Sequence, residues 1–97
     1  MRVTFQPSAI EDLEWYRRYY ETVFPKGARR VAEHFDQVIG TLTANPEAGR
    51  PSQRDPTARE WPVYRTPFLL IYRVTPARIE VLRVWDNRRD PKALALR

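Results

Sequence analysis

The side chains best able to do chemistry in this sequence are arginines, and they are concentrated in its second half. Residues 50–97 carry eleven Lys/Arg and five Asp/Glu, a net charge of +6, whereas residues 1–49 have a net charge of −1. Ten of those eleven cations are arginine, whose planar guanidinium suits phosphate and stacks on bases and aromatic rings. This pattern predicts an anionic partner, either nucleic acid or an acidic peptide. Charge alone leaves open a solvated basic face without function.

Length and composition limit the sites that the chain can contain. Its 97 residues fit a single domain spanning residues 1–97. The absence of cysteine excludes disulfides and cysteine-based metal sites, and we predict neither a metal nor a cofactor. The longest apolar run, Phe68–Tyr72, has five residues, so no membrane span is expected. Because the first residues also lack an apolar signal segment, we expect a cytoplasmic protein.

The first half of the chain predicts a short strand followed by an amphipathic helix. The strand covers Arg2–Gln6 and is ended by Pro7. Ser8 and Glu11 form a capping box, which places the start of the helix at Ser8. The apolar stripe of this helix has helical spacing and consists of Ala9, Leu13, Tyr16, Tyr20 and Val23.

A second helix is predicted over residues 28–44. Pro25 and Gly27 should break the chain before it, and Asn45, which precedes a proline, should stop it. Because the connection between the two helices is short, they should form an antiparallel hairpin.

The second half changes to the period-two pattern of strands. Residues 45–58 are predicted to form a loop rich in proline. Strands are predicted at Arg59–Tyr64, where Pro62 favours an edge or a bulge, at Phe68–Val74 and at Ile79–Trp85. The tail KALALR could be frayed or form a helical turn. The order strand, helix, helix, strand, strand, strand predicts an α+β fold, with the two-helix hairpin packed on a mainly antiparallel four-stranded sheet. The other face of the sheet would remain partly open to a partner.

The order of these elements, together with four segments, resembles the RelE/ParE family of type II toxin–antitoxin toxins. The segments are SAIEDL, NPEAGR, PFLLIYRV and IEVLRVWDNRRD, and together they span nearly the whole chain. The resemblance implies a growth-inhibiting toxin of the kind linked to plasmid stabilization, held silent by a cognate antitoxin. RelE-like members cut messenger RNA in the ribosome, whereas ParE-like members poison DNA gyrase.

Cutting RNA requires a base, an acid and cations that hold the phosphate. For a nuclease, the resemblance would assign these roles to Glu60, Arg83, Asp86 and Arg89. However, the strand that carries Glu60 has no lysine, and Leu69 stands where such nucleases place an arginine. A carboxylate at position 86 does not donate a proton at pH 7 unless its pKa is strongly raised. We therefore predict a ParE-like inhibitor of DNA gyrase; a ribosome-dependent RNA endonuclease and a degenerate member that binds only its antitoxin are the alternatives.

Two groups of residues are candidates for binding partners. The target-binding candidates are Arg59, Arg65, Arg83, Trp85, Arg88 and Arg89. Ideal alternation places Ile79, Val81, Arg83 and Trp85 on one face of the last strand. The alternative for Arg83 is an ion pair with Asp86, Asp90 or a helix acid, and for Trp85 it is packing in the core. Arg88 and Arg89 should face solvent.

The antitoxin-binding candidates are Trp15, Tyr19, Trp61 and Arg73. Trp15 and Tyr19 lie off the core stripe of the first helix at a spacing of four, so they should form an exposed apolar patch, which often marks a partner site. The single histidine, His34, reads as a surface or helix-packing residue.

Overall fold

A computed structural model describes residues 2–89, and its centre is a mixed sheet of five strands. The strands are β1 (Arg2–Phe5), β2 (Arg50–Pro51), β3 (Arg59–Pro62), β4 (Phe68–Val74) and β5 (Arg78–Asp86), and the helices are α1 (Pro7–Val23) and α2 (Pro25–Ala44). The spatial order of the strands is β1-β5-β4-β3-β2. β1 runs parallel to β5, and the other neighbours are antiparallel. The KALALR tail lies outside the described residues.

The predicted α+β architecture is confirmed, but the count of four strands was too low by one. The extra strand, β2, lies inside the predicted loop and consists only of Arg50 and Pro51, which pair with Glu60 and Arg59. Two residues are too few to produce a periodic pattern, so this strand leaves no signal in the sequence. A backbone hydrogen bond of 2.9 Å from the Ser52 amide to the Ala58 carbonyl joins the residue after β2 to the residue before β3.

Both helices begin at prolines. The predicted capping box is wrong: α1 starts at Pro7, and its N-cap residue, Gln6, makes no side-chain capping bond. α2 starts at Pro25, so the break between the helices is the single residue Phe24. Proline suits the first helical position because its fixed φ is helical, and because a backbone N–H at that position would have no partner within the helix. The predicted stop at Asn45 is confirmed. No helix within residues 2–89 is long and apolar enough to cross a membrane.

The side chains of the sheet divide into two buried clusters. The larger cluster packs against the helices and is built from Ala9, Tyr16, Val38, Leu42, Val63, Phe68, Leu70, Tyr72, Ile79, Val81 and Val84. The smaller one consists of Ala58, Leu69, Ile71, Leu82 and Trp85, each at most 4% exposed. The prediction that this face remains partly open to a partner therefore does not extend to these five side chains.

A β-bulge in β5 decides which side chains share a face. Arg83 pairs with Ile71 and Val81 with Tyr72, so Leu82 is the extra residue. The bulge shifts the alternation: Ile79, Val81 and Val84 pack in the helix-facing cluster, while Leu82 and Trp85 pack in the other. The predicted face shared by Ile79, Val81, Arg83 and Trp85 is wrong for this reason.

A buried tyrosine ties the loop after α2 to the sheet. The Tyr72 hydroxyl accepts a hydrogen bond from the Gly49 amide at 2.8 Å and donates one to the Pro46 carbonyl at 2.9 Å. The Arg59 guanidinium donates to the Gly49 carbonyl at 2.7 Å. These bonds satisfy backbone groups of an otherwise irregular segment, so they fix its path across the end of β3.

Candidate target-binding surface

Arg83 is held in a bidentate ion pair with a carboxylate on the first helix. Its Nε donates to Asp12 Oδ2 at 2.8 Å, and its Nη2 donates to Asp12 Oδ1 at 2.9 Å. The two side chains are only 12% and 7% exposed. The hydrogen bonds from Arg83 to Asp12 raise the pKa of the guanidinium, against the effect of burial. The ion pair with a helix acid, predicted as the alternative for Arg83, is the arrangement that the structure has.

Asp12 also covers an open edge of the sheet. β1 pairs with β5 only as far as Val81, so the next part of β5 has no strand beside it on that edge. The Val84 amide there donates to Asp12 Oδ2 at 3.0 Å. The sequence analysis allowed a helix acid as the partner of Arg83 but did not single out Asp12 among the acids of the first helix. The available signal was its spacing of four from Tyr16, which places it beside the core stripe.

Asp86 and Arg88 form a second pair at the end of β5. Arg88 Nη2 lies 2.6 Å from Asp86 Oδ2, and the Arg88 amide donates to Asp86 Oδ1 at 2.9 Å. The carboxylate is 5% exposed, whereas the Arg88 side chain is 59% exposed. Burial works against ionisation of Asp86, but the hydrogen bonds from Arg88 and the charges of Arg88 and Arg89 outweigh it, so its pKa is lowered. Asp86 is therefore ionised at neutral pH and does not supply a proton.

The buried ring of Trp85 lies next to the guanidinium groups of two arginines. Its side chain is 2% exposed, so core packing, the alternative reading of this residue, is what the structure shows. The Cζ atom of Arg83 lies 5.3 Å from the centre of its ring and that of Arg89 lies 4.7 Å away, within the range of cation–π attraction. Arg89 itself is exposed, as predicted. Trp85 can thus orient Arg89, but its own ring is not available to a partner.

Glu60 is enclosed by polar groups at the other end of the sheet. Its carboxylate, 6% exposed, accepts a 2.9 Å hydrogen bond from the Ser52 hydroxyl and lies 3.3 Å from Arg50 and 3.8 Å from Arg54. Glu60 pairs with Ile71 of the smaller cluster, whereas Asp86 pairs with Phe68 of the helix-facing cluster. Because paired residues share a face, the two carboxylates lie on opposite faces of the sheet.

Two stacked aromatic rings, one exposed and one partly buried, run along α1. Trp15 is 52% exposed and stacks on Tyr19, with ring centres 5.5 Å apart and planes 8° apart. Trp15 also lines a cleft of about 340 Å³ together with Glu11, Asp12, Arg83 and Arg89. We call Trp15 and Tyr19 the aromatic ridge. It lies beside the arginines at the end of β5.

The other two antitoxin-binding candidates lie on strands of the sheet and not on α1. Trp61 is partly buried at the border of the larger cluster. Arg73 is held at 3.3 Å by Asp55 and at 3.2 Å by the Thr57 hydroxyl. Neither residue therefore adds to the aromatic ridge as an exposed apolar group.

Sequence comparison identifies the family of the chain. The family described as "ParE toxin of type II toxin-antitoxin system, parDE" matches residues 3–91. The chain belongs to the ParE toxin family. Among solved structures, one described as "Chromosomal ParDE TA system from P. aeruginosa" contains a chain that is 30% identical and superposes with a TM-score of 0.70. The match covers 87% of this toxin and 92% of that chain. A search of curated proteins gives no significant match.

The remaining target-binding candidates of the toxin differ in how far their side chains are engaged by other residues of the toxin. Arg59 is partly buried and bonded to two carbonyl oxygens, those of Glu47 and Gly49. Arg65 is exposed in the turn before β4, with a positive φ of 58° and its Cζ 5.2 Å from the Tyr64 ring centre. Arg59 therefore stabilises the loop, whereas Arg65 lies on an exposed turn. Within residues 2–89 no group of three or more His, Cys, Asp or Glu side chains is arranged to hold a metal ion.

We expect the toxin to lose stability in alkaline solution because of Tyr16. Burial, and then the charges of Asp86 and Asp12, raise the pKa of Tyr16 from 10.0 to about 12. The folded state therefore keeps a proton that the unfolded state releases, so the contribution is intact below pH 10 and is lost as the pH rises through about 12. Urea unfolding at increasing pH measures this loss. The Tyr16→Phe variant should show a shallower decline, and an identical decline in both proteins would contradict the assignment.

Proposed function

We propose that this ParE-family toxin inhibits DNA gyrase by binding to it and is neutralised by a cognate antitoxin. The observation that carries the proposal is the state of the residues that a nuclease would need. Glu60 and Asp86, the two candidate carboxylates, lie on opposite faces of the sheet. Each is buried and engaged by at least one guanidinium. Inhibition by binding needs no proton transfer, so it fits this arrangement better than RNA cleavage does.

The antitoxin half of the proposal rests on the family and on the aromatic ridge. Toxins of type II systems are paired with antitoxins, and the solved relative is described as a ParDE system. The ridge offers a stacked and partly exposed aromatic surface of the kind that partners bind. Arginines at the end of β5 lie beside it, so an antitoxin segment with acidic and apolar residues would match both features.

Two parallel assays test the proposed target. Purified toxin is added to a gyrase supercoiling reaction and, separately, to translating ribosomes with a defined messenger RNA. We expect loss of supercoiling and intact messenger RNA, and we expect purified antitoxin to restore supercoiling. Messenger RNA cleavage with unaffected gyrase would favour the endonuclease. No effect in either assay, together with no growth arrest on expression, would favour a degenerate member.

A further inference from the structure

The three arginines at the end of β5 differ in how their charge is balanced. Arg83 is matched by Asp12, and Arg88 is matched by Asp86. Arg89 is exposed and forms no salt bridge with any carboxylate in the part of the chain that the structure describes. Its charge helps to lower the pKa of Asp86, but among these three arginines only Arg89 lacks a salt bridge of its own within residues 2–89.

Trp85 restricts the orientation of Arg89. The Arg89 guanidinium lies 4.7 Å from the centre of a ring that is itself 2% exposed and fixed in the smaller cluster. The Arg89 amide is held at 3.0 Å by the Asp86 carbonyl, which fixes the backbone of the turn. A long side chain loses rotamer freedom when a partner immobilises it, and an arginine that is already oriented loses less.

The cleft beside Arg89 indicates the chemistry of its partner. Two of its lining residues, Glu11 and Asp12, are acidic, and two, Arg83 and Arg89, are basic, so their net charge is zero. A DNA backbone carries a charge about every 1.7 Å along the duplex axis, so several phosphates would face a cleft in which Arg83 is already paired with Asp12 and Glu11 is exposed. A single carboxylate needs only one cation, so it can pair with Arg89 while an apolar neighbour contacts Trp15.

We propose that Arg89 anchors a carboxylate on a protein segment of the toxin's target, and that Trp85 is the positioning residue that orients Arg89. Arg88 has a different role, because it neutralises the buried Asp86 carboxylate within the toxin. The inference deepens the proposed function and rests on it for the identity of the target, DNA gyrase. It separates two adjacent arginines that the sequence does not distinguish.

The test compares Arg89→Ala with Asp86→Asn/Arg88→Ala, which removes both charges of the internal pair. Affinity for purified gyrase without DNA is measured for each variant, together with its melting temperature. We expect Arg89→Ala to weaken binding at least about tenfold, as for a residue at the centre of an interface, with an unchanged melting temperature. The double variant should bind like the wild type. Arg29→Ala, which removes an exposed arginine on α2, controls for the change in net charge.

A double-mutant cycle tests the role of Trp85. If Trp85 acts through Arg89, Trp85→Leu weakens binding in the wild-type background and has no further effect in the Arg89→Ala background. Trp85→Phe, which keeps an aromatic face, should recover most of the loss. Equal effects of Trp85→Leu in both backgrounds would show that Trp85 only stabilises the fold, and would overturn its positioning role.

Growth arrest separates a failure of this inference from a failure of the proposed function. If the wild-type toxin arrests growth but does not bind gyrase, the gyrase proposal fails, whereas loss of arrest in Arg89→Ala at matched expression would still support the anchor. Full growth arrest by Arg89→Ala, at the wild-type level of expression, would overturn the anchor. Binding to DNA alone that depends on Arg89 would overturn the assignment of a carboxylate partner.

Discussion

Replacing Asp12 with alanine is expected to lower the free energy of unfolding by about 3–5 kcal/mol, the usual cost of removing one partner from a buried ion pair. The change removes the carboxylate that accepts two N–H groups of Arg83 and also leaves the Val84 amide without its acceptor. All of these groups lie where water has little access, so solvent replaces the lost bonds poorly. Urea unfolding followed by tryptophan fluorescence measures the loss.

Two further variants show whether the ion pair is the cause. Glu14→Ala removes an exposed acid from the same helix and should change stability by less than about 0.5 kcal/mol. Asp12→Leu combined with Arg83→Met replaces both charges with apolar groups and should be more stable than Asp12→Ala. If Asp12→Ala cost no more than Glu14→Ala, the ion pair would contribute little to the fold.

Replacing Gly49 with alanine is expected to destabilise the toxin by about 1–3 kcal/mol, the range for overpacked sites. An added Cβ would lie 2.8 Å from Tyr72 Cε1 and 2.9 Å from the Glu60 carbonyl oxygen. Neither group can move freely, because Tyr72 is buried and the carbonyl belongs to β3. The clash would also displace the hydroxyl that accepts the Gly49 amide. Thermal unfolding gives the size of the effect.

Gly40 provides the matched control. It lies within α2, and a Cβ added there would meet no atom within 4 Å. Gly40→Ala should therefore stabilise the toxin by about 0.5–1 kcal/mol, because alanine restricts the unfolded chain and favours a helix. Stabilisation by both substitutions would show that the Gly49 segment moves aside, contrary to the packing described here.

The sequence predicted those parts of the fold in which several residues carry the same periodic or continuous apolar pattern. The apolar stripe of α1 and the apolar run of β4 each extend over several residues, so one atypical residue does not change the predicted element. The ends of the elements depend on single residues, and these were less predictable. Ser8 suggested an N-cap, but α1 starts one residue earlier, at Pro7. Pro25 begins α2 instead of separating it from α1.

The candidate site was predicted by residue type but not by arrangement. The chemistry of the arginines at the end of β5 was clear from the sequence, but the partner of Arg83 lies on a helix more than seventy residues away, and the contact of Arg89 with Trp85 depends on one bulge. A bulge at Leu82 has no sequence signature, yet it places Trp85 in the smaller cluster under Arg89. Local patterns cannot report such long-range contacts, because each requires the tertiary packing to be known first.

The position of β5 in the sheet has a consequence for the timing of toxin synthesis. This strand is translated after the other four, yet it lies between β1 and β4, so neither of those strands can complete its pairing until β5 has left the ribosome. A nascent chain that ends before β5 therefore has β1 without its strand partner and Asp12 without Arg83. Such non-local pairing is slow, and β1 and β5 must meet before either the sheet or the Asp12–Arg83 pair is complete.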